Sequence, residues 1–355
     1  MKITFLLPHV KISGGVKTLL EYANLLNGKG HTVHLVIPRE KSKWYRLDQK
    51  LKNRANGVVT VNPESIDWFE NRIAIDVVPE LHPKYVPTAD ILIASSWETA
   101  HAAAGFPSEK GGKFYFIQHH EALWTKHKEQ ARQTYGMPFH KIVISRWLQD
   151  ILARTYHQQS DVLVTPVNRE LFFCDAKKWN RPPRVCLLHH DYDWKGYADA
   201  ILAVKKVLSR HGDLRVTVFG AKLKNPKALY RAAGFEFDYH YRPTGELLRR
   251  IYTECDIYLC ASWHEGLGMP AMEAMACRAA LITTDTGGCR DYALHNQTAL
   301  LSQPRNIDQL ADNLAAVIAD RGLMRRLSES GHQKIQDFDW QENCAQLIRW
   351  FEDKL

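Results

Sequence analysis

The sequence predicts an α/β fold of two Rossmann-like, doubly wound domains, and three observations carry that expectation. At 355 residues the chain is too long for one ordinary core and suits two domains of about 150–180 residues each. A strand–loop–helix series begins twice, at Lys2 and again at Arg184, as in doubly wound sheets. Between the two series the stretch CDAKKWNRPP is polar and ends in two prolines, which suits a linker. The expected boundaries are therefore 1–173, a linker at 174–183, 184–338, and a final helix within 339–355.

Composition excludes several classes. No apolar run approaches the 18 residues that a membrane-crossing helix needs. The opening MKITFLLPHV has one lysine and a short apolar run, which reads as a first strand rather than a signal peptide. A cytoplasmic location is expected. The seven cysteines all lie from Cys174 onward without C-x-x-C spacing, against a disulfide framework or a zinc site. Net charge is +8. Residues 1–170 hold 22 basic and 16 acidic side chains, the remainder 25 and 23. A basic first half suits an anionic acceptor or the inner face of a membrane. No signature of a nucleic-acid-binding module is present, so nucleic acid is not an expected partner.

Taken in order, Lys2–Leu7 is a buried strand. Gly14-Gly15 then precedes a helix with Val16, Leu19, Leu20, Ala23 and Leu26 on one face. Gly28 and Gly30 end that helix, and His31–Pro38 is the second strand. Residues 39–54 place Trp44, Leu47 and Leu51 among seven basic side chains. They read as a solvated surface helix or as a basic amphipathic one. Further strands are expected at 73–78, 90–94, 113–118, 141–145 and 162–166, with a helix near His101 and Ser145 as an N-cap. The turn Gln118-His119-His120-Glu121 closes a strand at its carboxyl end, where open α/β sheets hold ligands. Adjacent side chains in an extended chain point to opposite sides. His119 is the first choice to face a ligand, with His120 and Glu121 in reserve.

The second series gives strands at 184–189, 214–219, 235–241, 256–262 and 279–284, with helices at 197–208, 245–253 and 271–279. Residues 306–351 are mostly helical. The most informative stretch is DIYLCASWHEGLGMPAMEAMACRAALITTDTGGCRD, residues 256–291. Its strand meets Gly266 and Gly268, and Pro270 suits the first turn of a helix. Free amides and a positive helix end make an anion site there. Glu265 and Glu273 flank it. Carboxylates repel phosphate but accept hydrogen bonds from neighbouring sugar hydroxyls, so an anion site with two such acids fits a nucleotide-sugar. A plain tight turn with solvated acids is the alternative.

The spacing of Glu265 and Glu273 about GLGMP, followed by EAMA and Gly287-Gly288, resembles the donor-site signature of GT-B-fold retaining glycosyltransferases of group 1, or family 4. The likeness is strong over 256–304, moderate over 1–38 and 139–172, and weak over 39–112. It implies a GT-B architecture, two Rossmann-like domains facing a cleft, with the last helix crossing back onto the first domain. The implied reaction moves a sugar from a nucleotide diphosphate sugar to an acceptor hydroxyl with retention of configuration, without a metal or other cofactor. The resemblance gives Glu265, Lys195 and His119 the catalytic roles. Gly14, Gly15, His190, Lys195, Tyr241, Glu265, Gly266, Leu267, Gly268, Met269 and Glu273 would bind the donor, and His119, His120 and Glu121 lie on the acceptor side. Within HHDYDWKGY, Lys195-Gly196 matches the family's phosphate-binding stretch, but His189 and His190 replace its glycine and arginine. That exchanges a permanent charge for an imidazole. YFIQHHE resembles bacterial cell-surface polysaccharide and rhamnan-type transferases, which implies a glycan or lipid-linked acceptor. A non-catalytic nucleotide-sugar-binding scaffold and a GT-B-fold epimerase are the alternatives.

Overall fold

The computed structural model describes residues 1–39, 57–221, 223 and 225–355. Apart from Arg39, the basic segment at 39–54 lies outside them. By contact density the chain divides into two units, Met1–Thr165 with Gln341–Leu355, and Pro166–Trp340.

In the first unit the elements run β1 (Lys2–Leu6), α1 (Gly14–Gly28), β2 (Thr32–Pro38), β3 (Val59–Val61), β4 (Ile75–Val78), β5 (Ile91–Ala94), α2 (Trp97–Ala104), β6 (Gly112–Ile117), α3 (Lys128–Tyr135), β7 (His140–Val143), α4 (Arg146–Tyr156) and β8 (Asp161–Val162). The sheet order is β3-β4-β2-β1-β5-β6-β7-β8. It is parallel except for β3, which pairs antiparallel with β4 at the edge. Buried on both faces, the central strands read as apolar runs; Ile91, Leu92, Ile93 and Ala94 of β5 are all inaccessible to solvent. Serines open the helices that follow β1, β5 and β7. Ser13, Ser96 and Ser145 accept from the amides of Val16, Thr99 and Leu148, each such cap stabilising by about 1 kcal/mol.

The second unit holds β9 (Arg184–His189), α5 (Tyr197–His211), β10 (Arg215–Gly220), α6 (Lys227–Ala233), β11 (Asp238–Tyr241), α7 (Gly245–Glu254), β12 (Ile257–Cys260), α8 (Met269–Ala276), β13 (Ala280–Thr284), β14 (Ala299–Ser302), α9 (Ile307–Ala319) and α10 (Arg321–Ile335). Its sheet, β11-β10-β9-β12-β13-β14, is wholly parallel. Order reverses between β9 and β12, the topological switch point where such sheets take ligands. These two strands pair through only Ile257↔Val185 and Tyr258↔Cys186, whereas β9 and β10 pair over six positions. Beyond Tyr258 the strands part and open a crevice.

The last helix, α11 (Trp340–Glu352), packs on the first unit. Leu347 and Phe351 are fully buried, with Phe351 edge-on to Phe114 at 4.9 Å. Asn343 Nδ2 donates to the Tyr22 hydroxyl (3.1 Å) and the Val164 carbonyl (2.7 Å).

The polar stretch 174–183 does not stand apart as a linker; it is tied to the second unit. Lys177 Nζ donates to the carbonyls of Thr253 (2.8 Å) and Cys255. The buried Asp256 carboxylate accepts from Asn180 N (3.0 Å), Asn180 Nδ2 (3.1 Å) and Arg184 N (2.7 Å). The contact division falls earlier, at 165/166. Polarity and the two prolines suited this stretch to a linker, but polar groups of Lys177 and Asn180 are spent on backbone and carboxylate partners. The strand expected over 162–166 shortens to Asp161–Val162, and the helix expected over 271–279 runs 269–276. Arg278, at φ 60, is left-handed and ends that helical course. All seven cysteines are unpaired. Among the described residues no helix is long and apolar enough to cross a membrane.

Candidate functional site

The crevice between β9 and β12 is where the second unit gathers its chemistry. The chain leaves β9 through a single turn at Asp193–Lys195 and reverses at Gly196, whose φ is 66. A Cβ at Gly196 would stand 1.9 Å from the Ala261 carbonyl oxygen, so only glycine lets the turn lie against the end of β12. Trp263 N donates to Trp194 O at 2.7 Å and joins the two loops. Glu265 is then fixed through its backbone, N to Thr286 O at 3.0 Å and O from Gly288 N at 3.2 Å. Gly288 is equally constrained, since a Cβ there would come within 2.2 Å of the Gly266 carbonyl oxygen.

This scaffold sets Lys195 against Glu265. Lys195 Nζ is 2.8 Å from both Oε1 and Oε2, and Ser262 Oγ donates to Oε1 at 2.8 Å. The side chains are 17% and 11% exposed, so the pair is poorly screened and each partner leaves a costly orphan if the other is removed. The Lys195 ammonium also lies 4.5 Å from the centroid of the Trp194 indole. Gly268 caps α8, so the first-turn amides and positive end of that helix follow directly after Glu265 in the chain. In the second turn of α8, Glu273 is buried and accepts from the Tyr252 hydroxyl at 3.3 Å.

A run of rings borders the pair. His190 lies 4.6 Å from Tyr192, Tyr192 stacks on Trp194 at 5.6 Å, and Trp194 stacks on His264 at 4.8 Å. His190 Nδ1 accepts from Tyr192 N at 3.1 Å, which turns Nε2 to the side of the ring away from that bond. Burial lowers the pKa of His264 and of His189, against the opposing pull of Glu265 and Asp191 respectively. Both therefore favour the neutral ring. Arg290, a cation near the glycine pair, is engaged by Asp285 at 2.8 Å. Tyr241 stands at the carboxyl end of the edge strand β11, 37% exposed.

In the first unit the order reverses between β1 and β5, and the candidates collect at that same carboxyl end. Gly14 and Gly15 open α1, and the Gln118 side-chain amide lies 3.2 Å from where a Cβ of Gly15 would be. His119 is edge-on to two indoles, Trp124 and Trp147, at 6.4 Å each. His120 turns elsewhere, with Nε2 2.8 Å from the Tyr156 hydroxyl. Glu121 goes inward. Its Oε2 accepts from Trp97 N (2.8 Å) and the Tyr115 hydroxyl (3.2 Å), while its own N–H donates to the Tyr135 hydroxyl (2.9 Å). Burial, with a smaller push from the charge of Glu98, raises its pKa to about 8.

The sequence points to Lys195, Glu265 and Glu273 but not to Ser262, Trp194, His264 or Tyr252, which complete their surroundings. Ser262 and His264 stand within three residues of Glu265 and Trp194 directly before Lys195, which is a local signal; Tyr252 has none. Among the described residues, no three His, Cys, Asp or Glu side chains converge as a metal site would.

Residues 168–334 match the family model described as "Glycosyl transferases group 1". An uncharacterized glycosyltransferase of Methanocaldococcus jannaschii is 23% identical over 222 residues, 60% of this chain and 59% of its own. A glycogen synthase of Mycobacterium tuberculosis is 27% identical over 291 residues, 71% of this chain and 66% of its own. The chain thus spans about 59% and 66% of the lengths of these relatives. Among solved structures, sucrose-phosphate synthase from Thermosynechococcus elongatus superposes with a TM-score of 0.77 at 14% identity, covering 99% of this chain and 98% of its own. Anabaena HepE in complex with UDP-glucose gives 0.77 at 16%, covering 99% and 100%. The full-length likeness establishes the GT-B fold, and the family match supports group 1 for the second unit.

Proposed function

We propose that the chain is a retaining glycosyltransferase that moves a sugar from a nucleoside diphosphate sugar to an acceptor hydroxyl. The observation that carries this reading is the Lys195–Glu265 pair, set at the switch point of the second sheet and followed directly by the N-terminus of α8. When the bond from the anomeric carbon to the diphosphate breaks, negative charge grows on the leaving group. A fixed ammonium and the helix end stabilise that charge without reorganising, and in this reading they do so without a metal. Glu265, with both oxygens already in hydrogen-bonding geometry, accepts from donor-sugar hydroxyls, and the amides of Gly266 to Met269 line the phosphates. Glu273 accepts from the ribose diol. His119 serves the acceptor, a glycan or lipid-linked glycan.

UDP is the nucleotide to try first. Anabaena HepE was solved with UDP-glucose, and S. aureus TarM with UDP. The deciding experiment measures UDP release from UDP-sugars with the wild type, Lys195→Ala and Glu265→Ala. Turnover that falls roughly 100-fold or more in both variants supports the reading. Turnover that survives in both, or a wild type that neither binds nor turns over any UDP-, GDP-, ADP- or dTDP-sugar, overturns it.

A further inference from the structure

We propose that Trp124 and Trp147, both edge-on to His119, form a subsite for the pyranose rings of a neutral glycan. Calling that glycan the acceptor rests on the transferase reading above; the subsite itself does not.

The two indoles come from different parts of the chain and meet at the carboxyl ends of neighbouring strands. Trp124 follows β6, and Trp147 sits in the first turn of α4, directly after β7. Their planes cross the His119 ring at 80° and 84°. Trp124 is 41% exposed, while His119 and Trp147 are half-buried. A single exposed indole would need no explanation. Here an exposed ring is backed by a second indole and an imidazole, and both come from the sheet end that binds ligands in this kind of fold. Another indole, Trp97, lies 5.3 Å from His127.

The chemistry of this face selects the ligand. A sugar ring has a face of polarised C–H groups and a rim of hydroxyls. The C–H face packs on the electron-rich face of an aromatic ring, and the rim takes hydrogen bonds from side-chain groups such as the His119 imidazole and the Gln118 amide. None of the three rings is a permanent cation; the exposed cations near them, Lys126, Lys128 and Arg146, lie beside the rings in the chain. The nearby carboxyl, Glu121, is turned inward onto Trp97 N and the Tyr115 hydroxyl. It holds its proton up to about pH 8, so it adds little charge at neutral pH. The same bonds make the turn rigid, which reduces the entropy lost when a ligand docks.

A lipid surface is the rival occupant. Leu123 is 42% exposed beside Trp124, and Lys126 and Lys128 are exposed close by. A bilayer anchor needs only an apolar tip and a basic flank. It gives no account of Trp147 and His119 being held perpendicular and half-buried behind that tip.

The test uses the full chain on an array of neutral oligosaccharides, with gluco-, galacto-, manno-, rhamno- and N-acetylglucosamine chains. UDP binding by calorimetry and sedimentation with phosphatidylglycerol vesicles run alongside. The wild type is expected to bind at least one chain type. Trp124→Ala and Trp147→Ala should each weaken that binding at least tenfold, and Trp124→Phe and Trp147→Phe should weaken it less, with UDP affinity unchanged throughout. The Phe variants keep the test valid if an Ala variant fails to fold. A wild type that binds no chain, glycan binding that survives both Ala variants, or a Trp124→Ala effect confined to vesicles overturns the proposal. Glycan binding that needs both indoles in a protein that neither binds nor turns over any UDP-, GDP-, ADP- or dTDP-sugar would uphold this subsite and sink the transferase reading instead.

Discussion

Lys195 Nζ is equidistant, at 2.8 Å, from the two carboxylate oxygens of Glu265. Two groups held so closely act together, and their deletions should not add. Lys195→Ala and Glu265→Ala are each expected to cut donor turnover roughly 100- to 1000-fold. The double variant should be little worse than the poorer single one. Initial rates of UDP release from the accepted donor, measured for all four proteins, check this; strict multiplication of the two losses would show that the residues work independently.

Glu273 gives a prediction on binding rather than rate. Its carboxylate is buried and accepts from the Tyr252 hydroxyl. Glu273→Ala should weaken UDP and intact donor alike by about 1–3 kcal/mol, the range for a hydrogen bond to a charged group. Tyr252→Phe removes only the supporting donor and should cost about 1 kcal/mol or less. Calorimetric titration with UDP reads both. An unchanged affinity in a folded Glu273→Ala protein would remove the ribose role.

Glu121 makes stability depend on pH in a defined direction. Its folded pKa is raised from 4.5 to about 8 by burial and by Glu98. Between those values the folded chain keeps a proton that the unfolded chain has released. The contribution is fully present below about pH 4.5, falls as pH rises, and is lost above about pH 8. Each tenfold difference in proton affinity between the folded and unfolded chain is worth about 1.4 kcal/mol. Glu121→Gln keeps the shape without the titration. Its Tm should therefore lose less than that of the wild type between pH 5 and 8.5; parallel losses would mean Glu121 is ionised in the fold.

Asp256 anchors the stretch before β9 through three hydrogen bonds while wholly buried. Asp256→Ala leaves two backbone N–H groups without acceptors and should destabilise by about 2–4 kcal/mol. Asp256→Asn, which keeps one acceptor oxygen, should fall in between. Urea unfolding followed by Trp fluorescence measures both, and near-wild-type midpoints would show that water replaces the carboxylate.

The sequence was most legible where one short segment carries the whole message. Strand, glycine loop and helix between 256 and 276 are encoded by neighbours, and Arg184–His189 and its flanking helix follow from local periodicity. Shorter pieces escaped. Val59–Val61 and Ala299–Ser302 have three and four residues, too few for an alternating pattern to rise above chance. Long-range meetings escaped altogether. Nothing in the spacing of Trp124 and Trp147 announces that β6 and β7 bring them to one histidine, and Trp194 meets His264 only because β9 and β12 are neighbours in the sheet. The stretch 174–183 misled in the opposite sense, since polarity that suited a linker serves in part a buried carboxylate, Asp256.

The two-residue pairing of β9 with β12 has a consequence for how such a protein can change. Because the crevice opens where main chains part company, its existence does not depend on which side chains fill the loops above it. Substitutions in those loops can therefore change what the crevice admits without reopening the question of whether the sheet folds. The same independence lets a lineage, or an engineer, exchange the side chains at 190–193 while Lys195, Gly196 and the framework that receives them stay the same.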